Sequence, residues 1–169
     1  MDAIAAILSR RSVRKFDDRP VEEAKIEALL EAGAAAPSAC NKRPVNFYVI
    51  TDKALLSELD GASHFSKMPS PLVIVVAGDL DRALPRSFSE YWIQDASAAT
   101  ENILVAATAL GLGSCWCGLY PQVRAAEKVK ELLGITGNVM PLSLIHLGYP
   151  AEEREPHSGY DRESVRFYK

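Results

Sequence analysis

The chain has 169 residues, 48% apolar and 24% charged, which suits one ordinary globular domain with a buried core and no repeat, low-complexity tract or linker. A formal net charge of -3 argues against general nucleic-acid binding. No run of about 18 apolar residues is present to span a membrane, and Cys40, Cys115 and Cys117 fit neither a disulfide framework nor the usual zinc spacing.

Reduced thiols, and a start that lacks a basic region before a long apolar run, give the expectation of a cytoplasmic protein. Taken in order, residues 2–9 form a short amphipathic segment whose Ile4, Ile7 and Leu8 recur at helical spacing. Next comes Arg10-Arg11-Ser12-Val13-Arg14-Lys15-Phe16, a local basic exception in a mildly acidic chain. A guanidinium is always charged and offers a planar fork of donors, and Ser12 adds a hydroxyl. The cluster reads either as a phosphate cradle or as a solvated basic turn.

Pro20 takes a first-turn position of a second helix, with Glu22 and Glu23 near its positive end and Ile26, Leu29 and Leu30 on its buried face. Pro37 stops that helix, and the small residues Ser38 and Ala39 leave the backbone open to close approach before Asn41. Residues 46–51 read as a strand and 53–59 as a helix. His64 is placed in a polar surface loop. The continuous apolar run 71–77 predicts a fully buried central strand.

Residues 88–110 form the longest helix candidate, apolar nearly all round. Such a helix needs cover on nearly every side, so a second subunit is expected to supply part of it. Asp95, Glu101 and Asn102 interrupt that surface as hydrogen-bonded structural residues. Gly111 ends the helix. Residues 113–118 then read as a strand whose terminal Gly118 permits close backbone approach to a ligand. An amphipathic helix is expected over 123–133 and a further strand over 139–147. The polar tail carries Arg154, His157, Arg162 and Arg166, and its last piece, 164–168, alternates like a strand that lacks a local partner.

Four features stand in one order: Arg-Arg-Ser-Val-Arg-Lys-Phe, Ala-Pro-Ser-Ala-Cys-Asn, an alanine-rich helix running into Gly-Leu-Gly-Ser-Cys-Trp, and Leu-Gly-Tyr-Pro. In that order the chain resembles the FMN-dependent nitroreductase family over nearly its whole length. The resemblance implies an α+β fold in a single domain, residues 1–169. Its central sheet is mixed but mostly antiparallel and flanked by helices. It implies a homodimer with FMN at the interface, the tail (151–169) wrapping the partner and a C-terminal strand joining the partner's sheet.

By the same resemblance Arg10, Arg11 and Ser12 hold the FMN phosphate and ribityl chain, and Arg14 reaches the pyrimidine side of the ring. Pro37, Ser38, Ala39 and Asn41 approach from the opposite subunit. Gly118 and Leu119 place backbone near the ring's N5 edge, and Arg154 or Arg162 supplies a late phosphate ligand. Where many relatives carry Gln before a proline, this chain has Arg43-Pro44. The implied activity is NADH- or NADPH-driven reduction of nitroaromatics, quinones or similar small electrophiles by ping-pong hydride transfer, with no metal and no protein nucleophile. The rival expectations are a non-enzymatic flavin carrier or sensor, and a relative that fragments flavin or dehalogenates aromatic substrates reductively.

Overall fold

A computed structural model of the chain describes residues 1–155 and 159–169, so His157 lies outside the described residues. Four strands, β1 (Val45–Ile50), β2 (Leu72–Asp79), β3 (Gly113–Gly118) and β4 (Val139–Gly148), form one sheet in the order β1-β2-β4-β3. Five helices accompany them: α1 (Ala3–Ser9), α2 (Glu23–Ala34), α3 (Lys53–Leu59), α4 (Tyr91–Ala109) and α5 (Val123–Leu133). The expected α+β class holds. The sheet is antiparallel throughout its four strands rather than mixed. Among the described residues the parallel component is one isolated bridge between Ser12 and Ser114.

The unbroken apolar run of β2 follows from its place between β1 and β4, where both faces are covered. Leu72, Ile74 and Val76 face α2 and α4, packing with Leu29, Ala99, Ile103 and Leu147. Val73 and Val75 face α3 and α5, packing with Leu59, Ala126, Val129 and Leu144. Close approach of the α4 layer requires Gly78, because a Cβ there would lie 2.3 Å from the Trp92 ring.

An irregularity in the sheet shapes the end of β3. The β2–β4 register shifts between Val76 and Ala77, where Val76 pairs with Ser143 and Ala77 with Pro141. Pro141 has no N–H to give to the ladder, so the strand bulges. Leu142 is thereby left to accept hydrogen bonds from the backbone N–H groups of Leu119 (2.8 Å) and Tyr120 (3.2 Å), just past the end of β3.

Two expectations are corrected. First, α2 begins at Glu23 with Glu22 as its cap, so Pro20 precedes the helix instead of occupying its first turn. Second, α1 docks on α4 through Ala6, which is fully buried, while Ile4, Ile7 and Leu8 are 65%, 51% and 65% exposed. A seven-residue helix buries only one narrow stripe, and here alanine fills it because the backbones approach closely. Residues 164–168, expected to join a partner's sheet, are not in a strand in the isolated chain: a one-turn helix (Arg162–Ser164) is followed by irregular backbone, with Phe167 and Tyr168 exposed. A strand needs a ladder partner, and residues 165–169 have none among the described residues. Within the chain α1, α2 and the sheet enclose most of α4 and leave Tyr91, Gln94, Glu101 and Ala109 outside.

Candidate functional site

The basic cluster is extended backbone clamped to the outer edge of the sheet. Val13 donates its N–H to the Ser114 carbonyl (2.9 Å), fixing the segment against β3. A Cβ on Gly113 would sit 2.9 Å from Val13, so the clamp depends on a glycine opposite it. Below it, Phe16 bridges to Pro150, and Ala151 donates its N–H to the Lys15 carbonyl (2.9 Å). The first residues of the tail are thus laid alongside residues 11–15.

Arg10 and Arg11 have defined seats. Arg10 pairs with Glu101 of α4 at 3.3 Å. The Arg11 guanidinium donates to the Glu155 carbonyl (3.0 Å) and the Leu8 carbonyl (3.1 Å). Glu152 accepts from the Arg14 backbone N–H (2.7 Å) with one oxygen and from the Arg154 guanidinium (2.9 Å) with the other. The Arg14 guanidinium remains exposed, near the Ser12 carbonyl. Arg10, Arg11, Ser12, Arg14 and Arg154 are therefore brought together from two chain segments. Arg162 lies in the one-turn helix of the tail, where Asp161 accepts locally from Glu163 and Ser164, and those bonds do not tie it to the cluster.

Beside the cluster runs the free edge of β3. In an antiparallel ladder alternate residues face the partner strand. The Ser114 carbonyl points outward to Val13, whereas the Leu119 N–H points inward to Leu142. By that alternation the backbone groups of Trp116 and Gly118 face the open edge. A Cβ at Gly118 would meet no atom within 4 Å, so the strand ends in open space. Leu119 offers less: its N–H serves Leu142, its carbonyl accepts from Gln122 (2.7 Å), and its side chain is fully buried. It acts by holding Gly118 in place.

Two atoms register what the edge lacks. Ser114 Oγ, next to Ser12, is buried with no hydrogen-bond partner. Such an atom carries a desolvation cost unless something else satisfies it. The Cys115 thiol is drawn down, against its burial, by the hydrogen bond shared with Cys117, the charge of Arg14, a bond with Ser12 and the charge of Arg10. Cys117 moves up through the same hydrogen bond and its apolar surroundings. The positive field of the cluster thus reaches the flank of β3, as an anion site requires. Guanidinium forks, hydroxyls and an open strand end are the donor set that a phosphorylated, flat, polar-edged cofactor such as FMN would need.

The loop after α2 is built separately. Asp95 of α4, itself buried, accepts from the Ala39 N–H (2.8 Å). Ser38 Oγ accepts from the Arg43 N–H (2.8 Å), and Arg43 Nε donates to Asn41 Oδ1 (2.9 Å). Arg82 reaches the Arg43 carbonyl as well. These bonds hold Cys40, Asn41 and Arg43 at φ of 48°, 53° and 49°, a left-handed conformation that costs side-chain-bearing residues energy and tends to accompany functional loops. Arg43, the departure from the family pattern, therefore shapes Asn41 instead of reaching outward. The side-chain bonds of this loop run to α4 and within the loop itself, so Pro37, Ser38, Ala39 and Asn41 are not joined by them to the Arg10–Arg14 cluster of the same chain.

Asp95 and Glu101 each do what the sequence suggests, bonding within the chain, yet each also seats a piece of the site. Asn102 joins α4 to α2 through the Ala32 carbonyl (2.9 Å). Glu152 and Ser114 are members of the site that sequence reasoning misses. Glu152 meets Arg14 across 138 positions of chain, which no spacing rule reveals.

Comparison with known proteins identifies the family and the fold. A model of the Nitroreductase family matches residues 7–67 and 63–149. A protein of Archaeoglobus fulgidus, provisionally named an NADH dehydrogenase/NAD(P)H nitroreductase, is 39% identical over 95% of this chain and 92% of its own. A crystal structure from Parabacteroides distasonis with a similarly provisional name superposes with a TM-score of 0.92 at 37% identity, covering 99% of this chain and 98% of that one. An FMN-dependent nitroreductase from Clostridium difficile superposes with a TM-score of 0.86 at 31% identity, covering 98% and 99%.

Proposed function

The chain belongs to the nitroreductase family and is a flavin-dependent NAD(P)H oxidoreductase, and from that premise we propose that it reduces nitroaromatics, quinones or similar small electrophiles by a ping-pong cycle. FMN, when bound, supplies the two-electron chemistry between nicotinamide donor and acceptor. The observation that carries the reading is the convergence of Arg10, Arg11, Ser12, Arg14 and Arg154 at the Ser114 end of β3, a strand whose other end opens at Gly118.

The roles follow from placement. Arg10, Arg11, Ser12 and Arg154 would hold the phosphate, with charge-assisted bonds that suit an anion. The exposed Arg14 guanidinium would stand by the part of the ring that becomes negative on reduction. Gly118 would offer backbone at the ring edge, and Ser114 Oγ would find its missing partner. Pro37, Ser38, Ala39 and Asn41 would come from a second copy of the chain. A homodimer would also cover Ile4, Ile7 and Leu8 of α1 and give the tail a sheet edge to join. Donor and acceptor would use one pocket in turn, because the open end of β3 provides a single place of close approach.

The test is a spectrum and an assay on the purified protein. FMN absorbance that co-purifies or is taken up on addition, and nicotinamide oxidation that depends on a quinone or nitroaromatic with parallel double-reciprocal lines, would support the reading. Protein that binds FMN but oxidises neither nicotinamide would make it a carrier. Protein that ignores FMN would refute the site itself.

A further inference from the structure

A groove of about 570 Å³ lies between the loop at Ala62–His64 and the start of α5. Its size is that of a small-ligand cleft. His64, Gln122, Arg124 and Lys128 line it, and no carboxylate does. Lys128 is held in place by donating to the Gly61 carbonyl (2.9 Å), which ties the helix to the loop. Arg124 is exposed and has no ion-pair partner among the described residues. In a chain of net charge -3 this is a second local positive surface, separate from the Arg10–Arg14 cluster. Phe65 stands beside it, 62% exposed and edge-on to His64 with ring centroids 5.3 Å apart.

Both walls of the groove are anchored at the end of β3. On one side the Cys117 thiol donates to the Phe65 carbonyl (3.1 Å). On the other the Gln122 N–H donates to the Leu119 carbonyl (2.7 Å). Gly118 lies between those two anchors. A donor whose nicotinamide reaches the open strand end has its other end free to extend over this groove. Glu127 of the same helix pairs with Lys130 at 3.7 Å, which leaves the groove lining free of carboxylate; a phosphate is the group that a guanidinium and an ammonium in such a lining select, and an exposed aromatic ring offers a face to a purine.

We infer that this groove takes the adenosine end of the nicotinamide donor, with Arg124 and Lys128 receiving a 2′-phosphate, so that the enzyme prefers NADPH to NADH. The inference rests on the flavin reading for where the nicotinamide goes. Binding of 2′,5′-ADP and of 5′-AMP to the purified protein is measured by calorimetry, beside kcat and KM for both donors with FMN bound. The native protein binds 2′,5′-ADP more tightly than 5′-AMP. Arg124→Gln removes most of that difference and raises KM for NADPH on the order of tenfold relative to KM for NADH, as for a lost charge-assisted contact. Arg124→Lys restores much of it, and added salt weakens it. FMN affinity serves as the check on folding. Equal binding of the two nucleotides, or an Arg124→Gln effect that is the same for both donors, overturns the inference. Failure to oxidise either nicotinamide brings down the oxidoreductase reading instead, while the calorimetry still decides the groove.

Discussion

Arg10 and Arg11 are occupied before any ligand arrives, one by Glu101 and the other by main-chain carbonyls. Their positions are thereby fixed, and fixed donors lose less freedom on binding. Replacing Arg11 with Ala is expected to weaken FMN retention by about 1.5–3 kcal/mol, the range for a hydrogen bond to a charged group. Equilibrium titration of apoprotein with FMN measures it, and matching affinities in the two proteins would contradict the assignment. His146 makes a different kind of prediction. It is fully buried opposite Cys115, with Nδ1 bonded to Ser70 at 3.0 Å and Nε2 without a partner. Burial pushes it down to about 4 from an ordinary 6.5. The unfolded chain takes up a proton near 6.5 that the folded chain refuses until about 4. Stability is therefore complete above 6.5 and falls as the pH drops through that window, by about 3 kcal/mol in all. His146→Leu should flatten the decline, and Tm of both proteins between pH 7.5 and 4 tests it. A variant curve as steep as the native one would remove His146 as the cause.

The elements are legible wherever one local rule decides them. Periodicity predicts α3 and α5 with the bounds found, and the apolar run of β2 requires a covered centre. Gly111, at a φ of +75°, closes α4 as expected. What the sequence does not reveal is direction. In α1 the large apolar residues point away from the core and Ala6 points in, because a helix that lies close to another needs a small contact residue. Nor does it reveal the bulge at Pro141 that aims Leu142 at the end of β3, since one proline in a strand pattern reads equally as an edge. The steric dependence nearest the site lies at Gly113, which faces Val13. Val13 is buried and held by its own N–H, so it has little room to yield. Gly113→Ala is expected to cost about 1–3 kcal/mol through overpacking. It should also displace Ser12 and Arg14, lowering FMN affinity together with Tm. An unchanged Tm would show that the clamp is looser than its contacts imply.

Across the whole molecule, the candidate site is readable as motifs but not as an assembly. Arg10, Arg11, Ser12 and Arg14 stand together in sequence, while Arg154 joins them only through Glu152. The loop at Pro37 hangs from α4 by Asp95 and stays apart from that group. A single sequence cannot show which surfaces meet in a second copy. The exposed side chains of α1 and the unladdered tail are what a second copy would use. Deleting residues 162–169 is therefore expected to shift the protein toward monomer and reduce FMN retention, as read by sedimentation and absorbance. A truncated chain that remains dimeric with full flavin content would refute the tail's part in assembly. The two tryptophans divide differently. Trp92 is sealed in the core at 4% exposure, and Trp116 stands on β3 at 36%, between Ser114 and Gly118. The molecule thus carries a built-in optical pair, one emitter screened from events at the strand edge and one facing them. Adding FMN should dim the redder, water-touched part of the emission and leave the bluer part largely intact, and Trp116→Phe should abolish the change.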